Sequence, residues 1–372
     1  PESDPAQQIN AEVHRHIAEL ASDAYEGREP GTAGEDKTIA YLVKEFEALG
    51  LQPGNNGQWF QEVPITAVAT AHDAVLSLRG ENYTADLSFG EEMVVFTQRQ
   101  MPVAELAASP LVFAGYGINA PERGWNDYAD IDVTGKTVVV LINDPGFATQ
   151  DPEVFNGNAM TYYGRWSYKF EEAARQGAAG VIIVHETAPA AYGWDVVRNG
   201  GSSAKIGLTA ENKMADTVAV QSWIPLAQAQ ALFAAAGVDY AEASAAAARP
   251  GFKAFPLADI SASVTLRNEV SNKISHNVAA LLPGSKYPDE VVIYTAHWDH
   301  LGVRPGTDGD NIYNGASDNA SGTAALFSLA RMFGEQAQPP ERSVLFLAVT
   351  AEESGLLGSR WYGENPIFAL DK

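Results

Sequence analysis

Cysteine is missing from all 372 residues. Its absence excludes disulfides, thiol catalysis and thiolate zinc sites together, so any metal must be held by histidine and carboxylates. It leaves the cellular compartment open. Basic residues are scarce as well: 24 Lys and Arg stand against 47 Asp and Glu, a net charge of −23. Nucleic-acid backbones need clustered Lys and Arg, so this balance argues against nucleic acid as a partner. Long apolar runs are also lacking. No stretch approaches the ~20 residues that span a bilayer, and no membrane span is expected. The chain opens on Pro1-Glu-Ser-Asp4 with neither a basic start nor an apolar core. An export signal is therefore expected to be absent or already removed.

What is present reads as a globular protein, with 46% hydrophobic and 19% charged residues. The length favours two domains over one core. Ile9, Val13, Ile17 and Leu20 recur at helical spacing, and so do Ile39, Val43, Phe46 and Leu49 before Gly50. Between these helices Gly27-Arg-Glu-Pro-Gly31 reads as a plain loop, and His14 and His16 are placed on the solvent side of the first helix. Short strands with turns follow, then an α/β block around Val138–Ile142 and Val181–Val184. An alanine-rich helical stretch ends at Arg249-Pro-Gly251, and a strand-rich section begins near Ile260. Junctions are placed near residues 67 and 258, giving segments 1–66, 67–258 and 259–372.

Three motifs near the end could carry chemistry, and each has a plainer reading. His297 closes the apolar run Glu290–Ala296, where a strand end gathers ligands in open α/β sheets; it also reads as a histidine in a polar loop. Asp318, among small residues before an apolar helical run, could bridge two zinc ions ~3.5–4 Å apart or simply cap that helix. Glu352 and Glu353 follow the run Ser343–Thr350. They could divide metal binding from proton transfer, or Thr350-Ala-Glu-Glu353 could be a capping box. His300 reads as a solvated loop residue.

Taken together, the strings Thr295-Ala-His-Trp-Asp-His-Leu-Gly302, Asn314-Gly-Ala-Ser-Asp-Asn-Ala-Ser-Gly322 and Thr350-Ala-Glu-Glu-Ser-Gly-Leu-Leu-Gly-Ser359 closely resemble the M28 family of co-catalytic zinc aminopeptidases. The resemblance implies that His297 ligates one zinc, Asp318 bridges both, Glu353 ligates the other and Glu352 is the general base. Asp299 would orient His297. It extends to the N-terminal segment Asp23–Gly31, and Leu111-Val-Phe-Ala-Gly-Tyr-Gly117 with Asn143-Asp-Pro-Gly146 looks like a protease-associated domain. The implied fold is α/β: a mixed zinc-exopeptidase sheet flanked by helices, incomplete at its C-terminus, with an inserted β-rich protease-associated domain at 67–258. The implied setting is secreted or periplasmic, with anchoring through a removed N-terminal signal as a variant. The implied partner is a peptide substrate.

The family pattern asks for two more zinc ligands, an Asp and a His, beyond Lys372. The chain is accordingly expected to be an inactive front portion of an enzyme that holds two zinc ions when complete, with weak or absent zinc binding of its own. Two rivals stand beside this reading. One is a carboxypeptidase or amidohydrolase on the same scaffold, marked by an Arg or Lys cluster aimed at a carboxylate. The other is a peptide-binding module without metals.

Overall fold

A computed structural model describes residues 5–304 and 309–372. The chain divides into two compact units. One takes the residues up to Thr66, Gly207–Thr209 and Asn272–Lys372, and the other takes Ala67–Ile206 and Ala210–Ser271. The units change over at Thr66/Ala67 and at Ser271/Asn272, the latter later than the break near 258 read from the sequence. The strand Phe255–Leu282 has no turn at that point and runs on through it.

The first unit holds helices α1 (Pro5–Leu20) and α2 (Ala33–Ala48), then strands β1 (Phe255–Leu282, from Asn272 onward) and β2 (Tyr287–His297). Helix α3 (Ser321–Gly334), strand β3 (Arg342–Val349) and helix α4 (Leu357–Glu364) complete it. Strand β3 is central: it runs antiparallel to β1, with Ala348 opposite Val278, and parallel to β2, with Val349 opposite His297. A strand covered on both faces reads as a continuous apolar run, and β3 is buried at every position after Arg342. Phe46, Phe327, Phe346 and Trp298 pack on one face; Leu345, Leu347, Val349 and Tyr362 pack on the other. Among the described residues β2 pairs with β3 alone, and Val292 and Ile293 stay 44% and 37% exposed.

Helix α1 departs from the sequence reading at one histidine. His14 is exposed, but His16 is buried, with its ring 4.4 Å from that of Phe327 and its Nδ1 2.7 Å from the Tyr41 hydroxyl. The reason is helical phase: His16 and Leu20 lie four residues apart and share the inward face.

The second unit is built on four parallel strands, Val103–Phe113, Thr137–Leu141, Gly180–His185 and Val220–Pro225. Val94–Phe96 pairs antiparallel with the last of these, and a hairpin spans Val75–Gly80 and Tyr83–Ser88. Val139, Leu141, Ile182 and Val184 face one core, while Val138, Val140, Val181 and Ile183 face another. The protein as described is mixed α/β, and no helix among the described residues is long and apolar enough to cross a membrane.

Candidate metal centre

Parallel neighbours β2 and β3 end at the same edge of the sheet, so His297 and the segment after Val349 emerge side by side. Thr323 of α3 donates to the His297 carbonyl at 3.0 Å, which ties the start of that helix to the strand end. His297 Nε2 then lies 3.1 Å from Asp318 Oδ1 and 3.7 Å from Glu352 Oε2. Residues 297, 318 and 352, each open to a plainer reading from sequence, converge on one spot.

Asp318 is not the helix cap. Asn319 takes that role, its Oδ1 accepting from Gly322 N at 2.9 Å, and the Asp318 carboxylate is left facing the site, 66% exposed. The turn that delivers it needs Gly315 in the left-handed region, at φ 57°. A Cβ there would run into the Asp318 carbonyl, the Arg28 guanidinium and the His300 ring. The Asp318–Asn319 peptide is cis.

The capping-box reading of 350–353 fails too, since helix α4 begins only at Leu357. Thr350 Oγ1 instead meets Ser275 Oγ at 2.5 Å, and Thr350 N donates to Asn277 Oδ1 at 3.0 Å. The amides of Glu352 and Glu353 donate to the fully buried Asp299 carboxylate, at 3.1 Å to Oδ1 and 3.3 Å to Oδ2. Asp299 thus holds the glutamate loop as well as the histidine. Its carboxylate sits 3.6 Å from His297 Nδ1, beyond hydrogen-bond length, and the ring nitrogen lies 3.2 Å from the Asp299 carbonyl oxygen instead.

Two residues passed over in the sequence belong to this site. His300 is no solvated loop residue: its side chain is 13% exposed and Nδ1 lies 2.5 Å from Glu353 Oε1. Its signal was placement, one step past Asp299 on the same strand-end loop. Arg28 is the other, and the segment 27–31 is more than a plain loop. Glu26, Gly27 and Arg28 all have left-handed φ (50°, 65° and 53°), and Gly27 abuts the carbonyls of Gly302 and Tyr313. The Arg28 side chain is 1% exposed and donates to the carbonyls of Trp298, Leu20, Asn314 and Gly315 at 2.6–2.8 Å. A lone Arg beside Gly27 in an acidic stretch (Asp23, Glu26, Glu29) was the available clue.

Charge follows geometry. Burial opposes the charged His297 imidazole, but the Asp299 and Glu352 carboxylates outweigh it and push its pKa up to about 9. Burial lifts the pKa of Glu352 against the pull of His297. His300 holds Glu353 below the ordinary carboxylate range. Burial pulls Arg28 down to about 10, against the pull of Asp299, Asp318 and Glu353.

The donors fit a divalent metal. His297, Glu352 and Glu353 bring one ligand atom each within 4.8 Å of one another, and His300, Asp318 and Glu353 do the same. Imidazole and carboxylate without thiolate is a donor set zinc accepts.

Residues 277–372 match the family model described as Peptidase family M28. Aminopeptidase NAALADL1 of Mus musculus is 34% identical over 130 residues, 33% of this chain and 16% of that protein. Aminopeptidase YwaD of Bacillus subtilis (strain 168) is 35% identical over 94 residues, 25% of this chain and 18% of that protein. The chain therefore spans only a small part of the length of these relatives. The solved aminopeptidase from Aneurinibacillus sp. strain AM-1 superposes on 97% of this chain and 66% of its own, with a TM-score of 0.51 and 22% identity, a likeness of fold. Residues 277–372, which carry all three motifs and their convergence, are thus similar to peptidase family M28.

Proposed function

We propose that this chain carries the base and bridging part of a two-zinc aminopeptidase centre. His297 and Asp318 would hold one zinc, and Asp318 and Glu353 the other, with His300 beside Glu353. The observation behind this is the approach of His297 Nε2 to Asp318 and Glu352, at 3.1 and 3.7 Å. Zinc held there supplies a Lewis acid that polarises a carbonyl and acidifies water.

The protein's own groups do the rest. Glu352, raised by burial and 34% exposed, is suited to take a proton from water and return it to a leaving amine. Asp299 fixes both ends of the arrangement, through its carbonyl at His297 and its carboxylate at the two glutamate amides. Arg28 spends its donors on four carbonyls and is not aimed at a substrate carboxylate, which favours an aminopeptidase over a carboxypeptidase.

Residues 67–258 are read as an inserted protease-associated domain, the substrate as a peptide with a free N-terminus, and the setting as secreted or periplasmic. In this reading the ligand set supplied by these 372 residues is partial, so their own zinc binding is weak or absent. The test is hydrolysis of aminoacyl chromogenic substrates, with zinc supplied, by these 372 residues and by a version extended through the remaining ligands, in which activity is expected. Glu352→Gln should lose about 10²–10⁴-fold in kcat while keeping its zinc. Wild-type-like turnover in that variant would remove Glu352 from the role of base.

A further inference from the structure

The groups that bind metal in this reading sit on three loops, and besides the glutamate loop after β3 there are two that share no strand or helix. One is the end of β2, carrying His297, Asp299 and His300; the other is the turn before α3, carrying Asp318. Hydrogen bonds converge on another segment, and one side chain makes most of them. Arg28 Nε donates to Trp298 O at 2.8 Å, between His297 and Asp299. Its Nη1 donates to Asn314 O and its Nη2 to Gly315 O, at 2.6 and 2.8 Å, four and three residues before Asp318. Nη1 also reaches Leu20 O at the end of α1, at 2.6 Å, and the Arg28 carbonyl accepts from His300 N at 3.2 Å.

A guanidinium has its donors in a fixed planar fork, so satisfying several carbonyls at once fixes their relative positions. The backbone adds to this. Left-handed φ at a non-glycine residue persists only where the surroundings impose it, and Glu26 and Arg28 both have it. Arg28 makes no ion pair within 4 Å among the described residues, although Asp299, Asp318 and Glu353 all act on it electrostatically. Its donors go to backbone. A bare positive charge this close to acidic ligands would repel an incoming cation, so its presence calls for a compensating gain.

We propose that Arg28 is a positioning residue that assembles the His297 and Asp318 loops into a preformed metal site before metal arrives. This rests on the zinc reading of the site and makes a prediction of opposite sign to the electrostatic one. If Arg28 mattered chiefly as a charge, Arg28→Met would bind zinc more tightly and Arg28→Lys would match the wild type. As a positioning residue it behaves otherwise: both variants lose affinity, because neither an apolar chain nor a single ammonium spans the four carbonyls.

The experiment is zinc titration calorimetry on the 372-residue chain as wild type, Arg28→Met and Arg28→Lys. Amide hydrogen exchange on the metal-free proteins accompanies it. The expected result is zinc affinity about 10–100-fold weaker in both variants, with faster exchange at residues 298–300 and 314–318 and unchanged exchange in the strands at 137–141 and 180–185. Tighter zinc in Arg28→Met, or wild-type exchange at both loops, would overturn the proposal. Should the wild type itself take no zinc, as a partial ligand set allows, the exchange comparison alone decides, and wild-type exchange at both loops in the variants overturns the proposal. Unfolding of Arg28→Lys as well as Arg28→Met would also overturn it, by making Arg28 a determinant of the fold and not of the site.

Discussion

Replacing Asp299 by Ala removes both acceptors that hold the glutamate loop. In the wild type the amides of Glu352 and Glu353 each donate to a charged oxygen, at 3.1 and 3.3 Å, and the carboxylate itself is fully buried. A hydrogen bond to a charged partner is worth about 1.5–3 kcal/mol. The 3.3 Å bond is long and both glutamates are partly exposed, so water recovers some of the loss. A combined cost of about 2–4 kcal/mol for opening residues 350–356 follows. At about 1.4 kcal/mol per decade this is roughly a 30- to 700-fold faster exchange of those two amides. Asp299→Asn keeps one carbonyl acceptor and should fall between. A second readout is independent of the loop: without the Asp299 charge, the His297 pKa should drop from about 9 toward 6.5, measured by NMR titration of the ring. Exchange at Glu352 and Glu353 within threefold of wild type, together with an unmoved His297 pKa, would refute the assignment of Asp299 as the organising carboxylate.

Other outcomes follow from the same chemistry. His297 must lose its proton to bind metal, so zinc affinity should rise about tenfold per pH unit between about pH 6 and 8, with proton release visible as a buffer-dependent binding enthalpy; a flat profile would contradict the raised pKa. Without metal the sign reverses: the raised His297 pKa contributes stability that is full below 6.5 and lost as pH rises through about 9. His300→Ala should let the Glu353 pKa rise, removing stability that is present above 4.5 and lost as pH falls below it, so the two proteins' urea midpoints should differ near neutrality and converge in acid. In the second unit Lys169 is fully buried against the Tyr116 carbonyl at 2.6 Å, and burial pulls its pKa to about 7. Because the unfolded chain binds that proton up to 10.5, wild-type stability relative to Lys169→Met should increase with pH from about 7 upward.

Much of this architecture is legible in the residues. The run Ser343–Thr350 is apolar without alternation because β3 is covered on both faces, and such a strand places whatever follows it at a ligand-gathering edge. The helical spacing of Ile9, Val13, Ile17 and Leu20 and that of Ile39, Val43 and Phe46 reappear as α1 and α2. What stayed hidden depends on contacts between distant segments. Thr350-Ala-Glu-Glu353 satisfies the local pattern of a capping box, but Asp299, some fifty positions earlier in the chain, takes the amides that a cap would have taken. Asp318 fits the N-cap pattern equally well, yet its neighbour Asn319 does the capping. Arg28 sits in a segment that looks like an unstructured connection, and nothing local to it says that its acceptors lie at Leu20, Trp298, Asn314 and Gly315. On α1 the solvent-facing expectation holds for His14 and not for His16, which shares the buried face of Leu20 four residues on.

The measurement closest to the central claim is zinc binding to the wild type, to Asp318→Ala and to His297→Ala, followed by calorimetry and elemental analysis. The account predicts zinc bound by the wild type and an affinity lower by about 10–100-fold or more in each variant, with α-helix content unchanged because both side chains face the site and not the core. Equal zinc content and equal affinity in all three proteins would contradict it, since the ion would then be held by groups other than the convergence of His297, Asp318 and the glutamate pair.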